Sequence, residues 1–166
     1  RYSLTLAFER NVADGATNVT VALQRMNGVL RETGWLALKH DPALRVTIDA
    51  SGIEPGDHGV HIHTVGRCDG PDYMTAGGHW NPTGREHGKD NPAGKHMGDM
   101  PNMLAGSDGA GEMEYVVPGG MIQGGSMPLL DVDGAAVVIH AQADDNKSDP
   151  AGNAGGRVAC GVLKAG

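Results

Sequence analysis

Cysteine is nearly absent from this chain of 166 residues: only Cys68 and Cys160 occur. One disulfide at most can form, and two buried free thiols are the alternative. Positive charge is also in short supply. With 13 Lys and Arg against 20 Asp and Glu, the net charge is −7 and the pI is near 5.5. That balance argues against nucleic acid or an anionic membrane surface as a partner. No apolar run approaches the length of a transmembrane helix, and no long amphipathic helix can be traced. The chain begins Arg-Tyr-Ser without an initiator Met, so a removed signal peptide is expected.

Histidine, by contrast, comes in a series. Six of the eight histidines and one aspartate are spaced His61-x-His63, His79, His87, His96-x-x-Asp99 and His140. Neutral imidazole is a common ligand for zinc and copper, so the series implies metal. A lone histidine is more often an ordinary surface or core residue than a ligand. Seven residues at compatible spacings, flanked by Gly59, Gly78, Gly88 and Gly98, reverse that expectation. Seven ligands satisfy two four-coordinate ions only if one is shared, which asks for a bridged two-metal centre. His58 precedes the pair out of phase and reads as a structural hydrogen-bonding residue. His40, in a charged turn, reads as surface.

Spacing says how the ligands are presented. Gly59-Val60-His61-Ile62-His63 reads as a strand, on which His61 and His63 share one face while Val60 and Ile62 enter a core. His140 ends a second apolar run, Ala136-Val137-Val138-Ile139-His140. Two rigid strands thus offer a precise, partly open site. From Asp69 to Asn102 no period of 2 or 3.6 appears, and so long an irregular loop needs something to order it. A metal on His79, His87, His96 and Asp99 would do so, in a closed structural site.

The remaining chain alternates apolar and polar residues at Leu4-Leu6-Phe8, Val19-Val21-Leu23, Trp35-Ala37 and Leu44-Val46-Ile48. Val116-Val117, Val132 and Ala135 to Ile139 continue the pattern. Turns are marked at Asn27-Gly28, Pro55-Gly56, Asp108-Gly109, Pro118-Gly119 and Asp133-Gly134, and 27 glycines suit many such turns. The pattern predicts an all-β fold, a Greek-key sandwich or barrel. The length suits one domain. Met97, Met100 and Met103 stand three apart. A copper-loading relay of thioethers is one reading; apolar core filling by Met in place of Leu fits better.

Several segments together resemble copper–zinc superoxide dismutase. They are Gly59 to His63, Ala76-Gly77-Gly78-His79-Trp80-Asn81-Pro82, His87-Gly88, His96-Met97-Gly98-Asp99-Met100, Val138-Ile139-His140 and Gly152-Asn153-Ala154-Gly155-Gly156-Arg157-Val158-Ala159-Cys160-Gly161. The resemblance covers roughly residues 45 to 163. Cys68, five residues after His63, and Gly98-Asp99-Met100-Pro101 resemble the bacterial, periplasmic branch. Residues 1–16 have no clear counterpart there and are expected to be an N-terminal extension, adding one strand to a domain at 17–166. Ala151 stands where animal and plant members carry threonine, and the loop 141–151 is shorter than in eukaryotic members.

The resemblance implies an eight-stranded antiparallel Greek-key β-barrel or sandwich with long metal-binding and electrostatic loops. It implies one copper per chain on His61, His63, His79 and His140, and one zinc on His79, His87, His96 and Asp99, with His79 as the bridge. Asp144 would bond His61 and His87 behind the metals. Arg157 would dock the substrate, superoxide, and Lys147 is a weaker candidate for steering it. Cys68 and Cys160 would form a disulfide, which fits the periplasm or cell exterior. The protein would work as a homodimer or a monomer, without nucleic acid or membrane. A copper carrier on the same fold would be favoured if a copper ligand or Arg157 were missing, and neither is. A dizinc hydrolase would want carboxylate-rich ligands and a bridging water, for which a shared imidazole leaves no room.

Overall fold

The computed structural model describes residues 3–12, 15–26 and 43–163, with side chains from residue 43 onward. The expected strand at Trp35-Ala37, the turn at Asn27-Gly28 and His40 lie outside the described residues. Strands β1 (Ser3–Val12), β2 (Gly15–Met26), β3 (Ala43–Ser51), β4 (Gly56–His58), β6 (Met103–Ala105) and β7 (Gly111–Pro118) form one sheet in the order β1-β2-β3-β7-β6-β4. Strands β5 (Val60–His63), β8 (Ala135–His140) and β9 (Arg157–Leu163) form a second sheet in the order β5-β8-β9. Every pairing between these strands is antiparallel.

The described strands number nine rather than eight. Part of the difference arises at Gly59, where the expected strand from Gly59 starts only at Val60 and β4 belongs to the other sheet. There the Gly59 amide donates to the Gln142 carbonyl at 2.8 Å, and its carbonyl accepts from His140 N–H at 2.8 Å. Ser3–Val12, inside the expected extension, pairs along its length with Gly15–Met26.

Alternation builds the core. Leu44, Val46, Ile48 and Ala50 of β3 are buried on one face, and they pack with Val60 and Ile62 of β5 and with Ala135, Val137 and Ile139 of β8. The Leu, Val and Ile side chains among these contribute about 1.5–3 kcal/mol each when fully buried. Met100 and Met103 belong to this core, as the filling reading has it. Val132 departs from expectation. It is 98% exposed in the turn before β8, between Asp131 and Asp133, and belongs to no strand.

Strand β8 is buried along all six residues because both of its faces are covered. Its other face, Ala136 and Val138, packs with Tyr73, Ala76 and Cys160. Cys160 is bonded to Cys68 across 92 residues of sequence, a closure worth roughly 4–5 kcal/mol in the chain-entropy model. The disulfide therefore pins the long loop after β5 onto the outer face of the small sheet. That face is where the histidines lie.

Candidate metal centre

The register of the small sheet assembles the first three histidines. His61 pairs with Val138 and His63 with Ala136, while Val60 and Ile62 oppose Ile139 and Val137. Since side chains alternate, His61, His63 and His140 share the outer face with Ala136 and Val138. All three imidazoles are buried. The fourth, His79, comes from the loop, which is registered on β5 by bonds between Trp80 N–H and the Ile62 carbonyl (2.7 Å) and between Ile62 N–H and the Gly98 carbonyl (2.9 Å).

One ring nitrogen of each histidine is held by the protein and the other is left over. His61 Nε2 donates to Asp144 Oδ2 at 2.7 Å. His63 Nδ1 donates to the Gly77 carbonyl at 2.8 Å, and His140 Nδ1 faces the Gly155 carbonyl at 3.3 Å. Those partners assign the tautomers. The remaining atoms, His61 Nδ1, His63 Nε2, His79 Nε2 and His140 Nε2, are buried without a hydrogen-bond partner. These four residues each offer a ligand atom, all within 4.8 Å of one another. Four orphaned nitrogens in one place are costly unless something binds them. A soft or borderline metal ion fits.

Protonation agrees. Burial is the dominant cause that pulls His61 down to about 3, His63 to about 2 and His140 to about 4. His79 is lowered for the same reason, against the pull of Asp99. These rings are neutral near pH 7, with lone pairs free for a cation.

A second convergence lies on the far side of His79. The Nδ1 atoms of His79, His87 and His96 stand 2.9, 3.1 and 3.2 Å from a single oxygen, Asp99 Oδ1. His96 Nδ1 is also 3.3 Å from His79 Nδ1. Three ring nitrogens aimed at one carboxylate oxygen are the donor set of a tetrahedral N3O site. His61 also falls within 4.8 Å of His79, His87 and Asp99. His61 Nε2 is committed to Asp144 and its Nδ1 belongs with the first group, whereas His96 Nδ1 faces Asp99 Oδ1 directly. Asp99 Oδ2 accepts from Gly88 and His96 N–H at 3.0 and 2.9 Å. Burial would raise the Asp99 pKa, but the three histidines hold it far below the usual carboxylate range.

Asp144 joins the two groups. Its Oδ1 accepts from His87 Nε2 at 3.0 Å and from Asn146 N–H at 2.6 Å, while Oδ2 holds His61. Burial lowers His87, yet Asp144 and Asp99 outweigh it and push the imidazole up to about 9. Gly152, at φ +63°, lies over this contact, and a Cβ there would run into the Asp144 carboxylate.

Arg157 reaches the site through a register shift. Between Ile139 and His140 the pairing with β9 slips by one residue, so His140 opposes Arg157 instead of Val158. A bulge of this kind re-aims a side chain. The guanidinium is half-buried; Nη1 donates to the Tyr73 carbonyl at 2.7 Å and Nη2 to the Gly77 carbonyl at 2.8 Å. Gly77 thus carries both Arg157 and His63. Burial lowers the Arg157 pKa and Asp72 opposes that shift.

The structure therefore brings together His61, His63, His79, His87, His96, Asp99, His140, Asp144 and Arg157. Lys147 is not in that constellation. It is exposed, and its carbonyl meets Asn91 Nδ2 at 3.5 Å. His58 is buried, with both ring nitrogens 2.7 Å from carbonyls, those of His140 and Glu54. Sequence reasoning missed Asn102, which bonds the Asp144 backbone in both directions at 2.8 and 2.9 Å, and Asp149, which accepts from His87 N–H at 2.6 Å. Asn102 directly follows the Gly98–Pro101 motif, a signal that could have marked it. Asp149 had none.

Known proteins resemble this chain in sequence and in fold. A family model described as copper/zinc superoxide dismutase (SODC) matches residues 33–163. The superoxide dismutase-like protein YojM of Bacillus subtilis (strain 168) is 40% identical over 145 residues, covering 85% of this chain and 74% of its own. Superoxide dismutase (Cu-Zn) 1 of Aquifex aeolicus (strain VF5) is 44% identical over 121 residues, covering 72% of each. A crystal structure of a SOD-like protein from Bacillus subtilis aligns with a TM-score of 0.77 at 34% identity, covering 95% of this chain and 97% of that one.

Proposed function

The chain belongs to the copper/zinc superoxide dismutase family, and we propose that it dismutes superoxide at a copper–zinc centre bridged by the His79 imidazolate. The observation that carries the reading is the set of four buried, unpartnered imidazole nitrogens beside the convergence on Asp99. Copper would be held by His61, His63, His79 and His140, and zinc by His79, His87, His96 and Asp99, one ion of each per chain. When bound, copper supplies the one-electron steps that turn two superoxide anions and two protons into dioxygen and hydrogen peroxide, while redox-inert zinc supplies only order.

The chain's own residues do the rest. His79 holds a proton at Nε2 between the two half-reactions and passes it to the peroxide product; water provides the second. The opposite nitrogen, Nδ1, would be held together with Asp99 in the zinc site, so the ring stays aimed while that proton comes and goes. Asp144 orients His61 and His87 from behind, the arrangement that raises ligand basicity and fixes ring direction. Arg157, anchored on two carbonyls, presents its remaining N–H donors for charge-assisted bonding to the anion. The Cys68–Cys160 disulfide supports work in the periplasm or outside the cell. Among the described residues no helix is long and apolar enough to cross a membrane.

A superoxide-consumption assay on protein loaded with copper and zinc tests the reading. The loaded chain should consume superoxide, whereas the metal-free and zinc-only forms should not. His140→Ala should lose consumption while still taking up zinc. A fully loaded chain that leaves superoxide untouched would refute the activity.

A further inference from the structure

Asp99 is fastened first to its own loop. Its Oδ2 is held by the amides of Gly88 and His96, and both belong to the same irregular segment. Fastening a carboxylate to its own loop leaves the loop free to move as a body. Backbone bonds through Gly98 tie that segment to β5 on one side. On the other side the Asp99 carbonyl turns outward and accepts from Lys95 Nζ at 2.7 Å. The same ammonium donates to Tyr115 Oη at 2.9 Å and stands 5.0 Å from that ring's centroid. Tyr115 lies on β7, in the large sheet.

We propose that Lys95 and Tyr115 form a latch that positions Asp99 and so governs how tightly the second site retains zinc. The inference rests on the zinc reading above. Lys95 is half-buried, and an ammonium bonded to a carbonyl and a phenol away from bulk water is stronger than an exposed contact. The latch also has something to restrain. A cavity of about 110 Å³ opens beside it, bordered by Lys95, Tyr115, Asp99, Asp144 and Asn146. Without the ammonium, the Asp99 backbone has room to swing away from the three Nδ1 atoms. Lys95 and Tyr115 are positioning residues; neither touches the metal.

Zinc affinity, measured by competition with a chromophoric chelator on the full chain, tests the latch. Lys95→Met keeps the apolar stem and removes the donor; its zinc affinity should fall about 10- to 100-fold, the usual cost of losing support behind a ligand. Tyr115→Phe removes one hydrogen bond and should cost about threefold or more. Cobalt(II) placed in the zinc site should give an altered visible spectrum in Lys95→Met, and Lys95→Arg should recover part of the lost affinity. Copper affinity should stay within about twofold throughout. A purely structural contact would lower the melting temperature and leave zinc affinity and the cobalt spectrum unchanged, and that result overturns the latch. Should Lys95→Met fail to fold, an unchanged zinc affinity in Tyr115→Phe overturns it equally. A wild-type chain that takes up no zinc would instead remove the zinc reading, and the latch with it.

Discussion

Arg157→Glu is expected to slow superoxide turnover at low salt by at least about tenfold, with both metals retained. Superoxide is an anion approaching a chain of net charge −7, so the global field opposes capture. Near the site mouth the local field should win. Arg157 sits on the carbonyl that also holds His63, within the screening length of about 8 Å at physiological salt. At that salt more distant carboxylates are largely screened; at low salt they are not, and the guanidinium beside the site is expected to outweigh them through proximity. Focused fields raise on-rates by roughly 10- to 1,000-fold, a general range that already includes this enzyme family among its examples. Wild-type turnover should fall as salt rises, and Arg157→Glu should lose or reverse that dependence. A wild-type rate that climbs with salt would mean that the global charge dominates.

Zinc affinity should fall steeply with acid, whereas affinity at the copper site should not. In the metal-free protein His87 is pushed up to about 9: burial lowers it, and the two carboxylates more than compensate. Zinc needs His87 Nδ1 deprotonated. Below pH 9, binding therefore displaces one proton, and the apparent affinity should drop about tenfold per pH unit, or roughly 1,000-fold from pH 8 to pH 5. The sign differs for His61, His63 and His140, which burial holds down to about 3, 2 and 4. They carry no proton to displace in that window, and with zinc absent His79 keeps its one N–H proton, so the affinity for copper added alone should stay nearly level until the pH approaches 4. Chelator competition at several pH values separates the two. A zinc affinity that is flat from pH 8 to pH 5 would mean that His87 is neutral before the metal arrives.

What was legible in the sequence was whatever side-chain identity and strand alternation encode. His61, His63 and His140 sit on one face of a sheet because period-2 alternation, with Val60 and Ile62 in the core, leaves them no other. The closeness of His79, His87, His96 and Asp99 followed from residue type and spacing, although the loop between them has no period. Features of the backbone were hidden. The Gly77 carbonyl that carries both His63 and Arg157 has no side chain to announce it, and the register slip that aims Arg157 depends on pairing with β8 rather than on any local motif. Lys95 and Tyr115 meet across sequence-distant elements, a loop and a strand. Val132 misled because hydrophobicity alone suggested burial, while its aspartate neighbours place it in a turn. The break at Gly59 is a packing event between two sheets, which a continuous apolar pattern conceals.

An imidazole shared between two unlike ions sets the metal content of the chain. After loading with both metals and removal of excess, elemental analysis should give one copper and one zinc per chain, near equimolar. His79→Ala, which removes the shared ligand, should weaken retention of both ions together. Two zinc ions per chain that copper cannot displace, or a His79→Ala variant that holds both metals as tightly as wild type, would mean that His79 is not shared between copper and zinc.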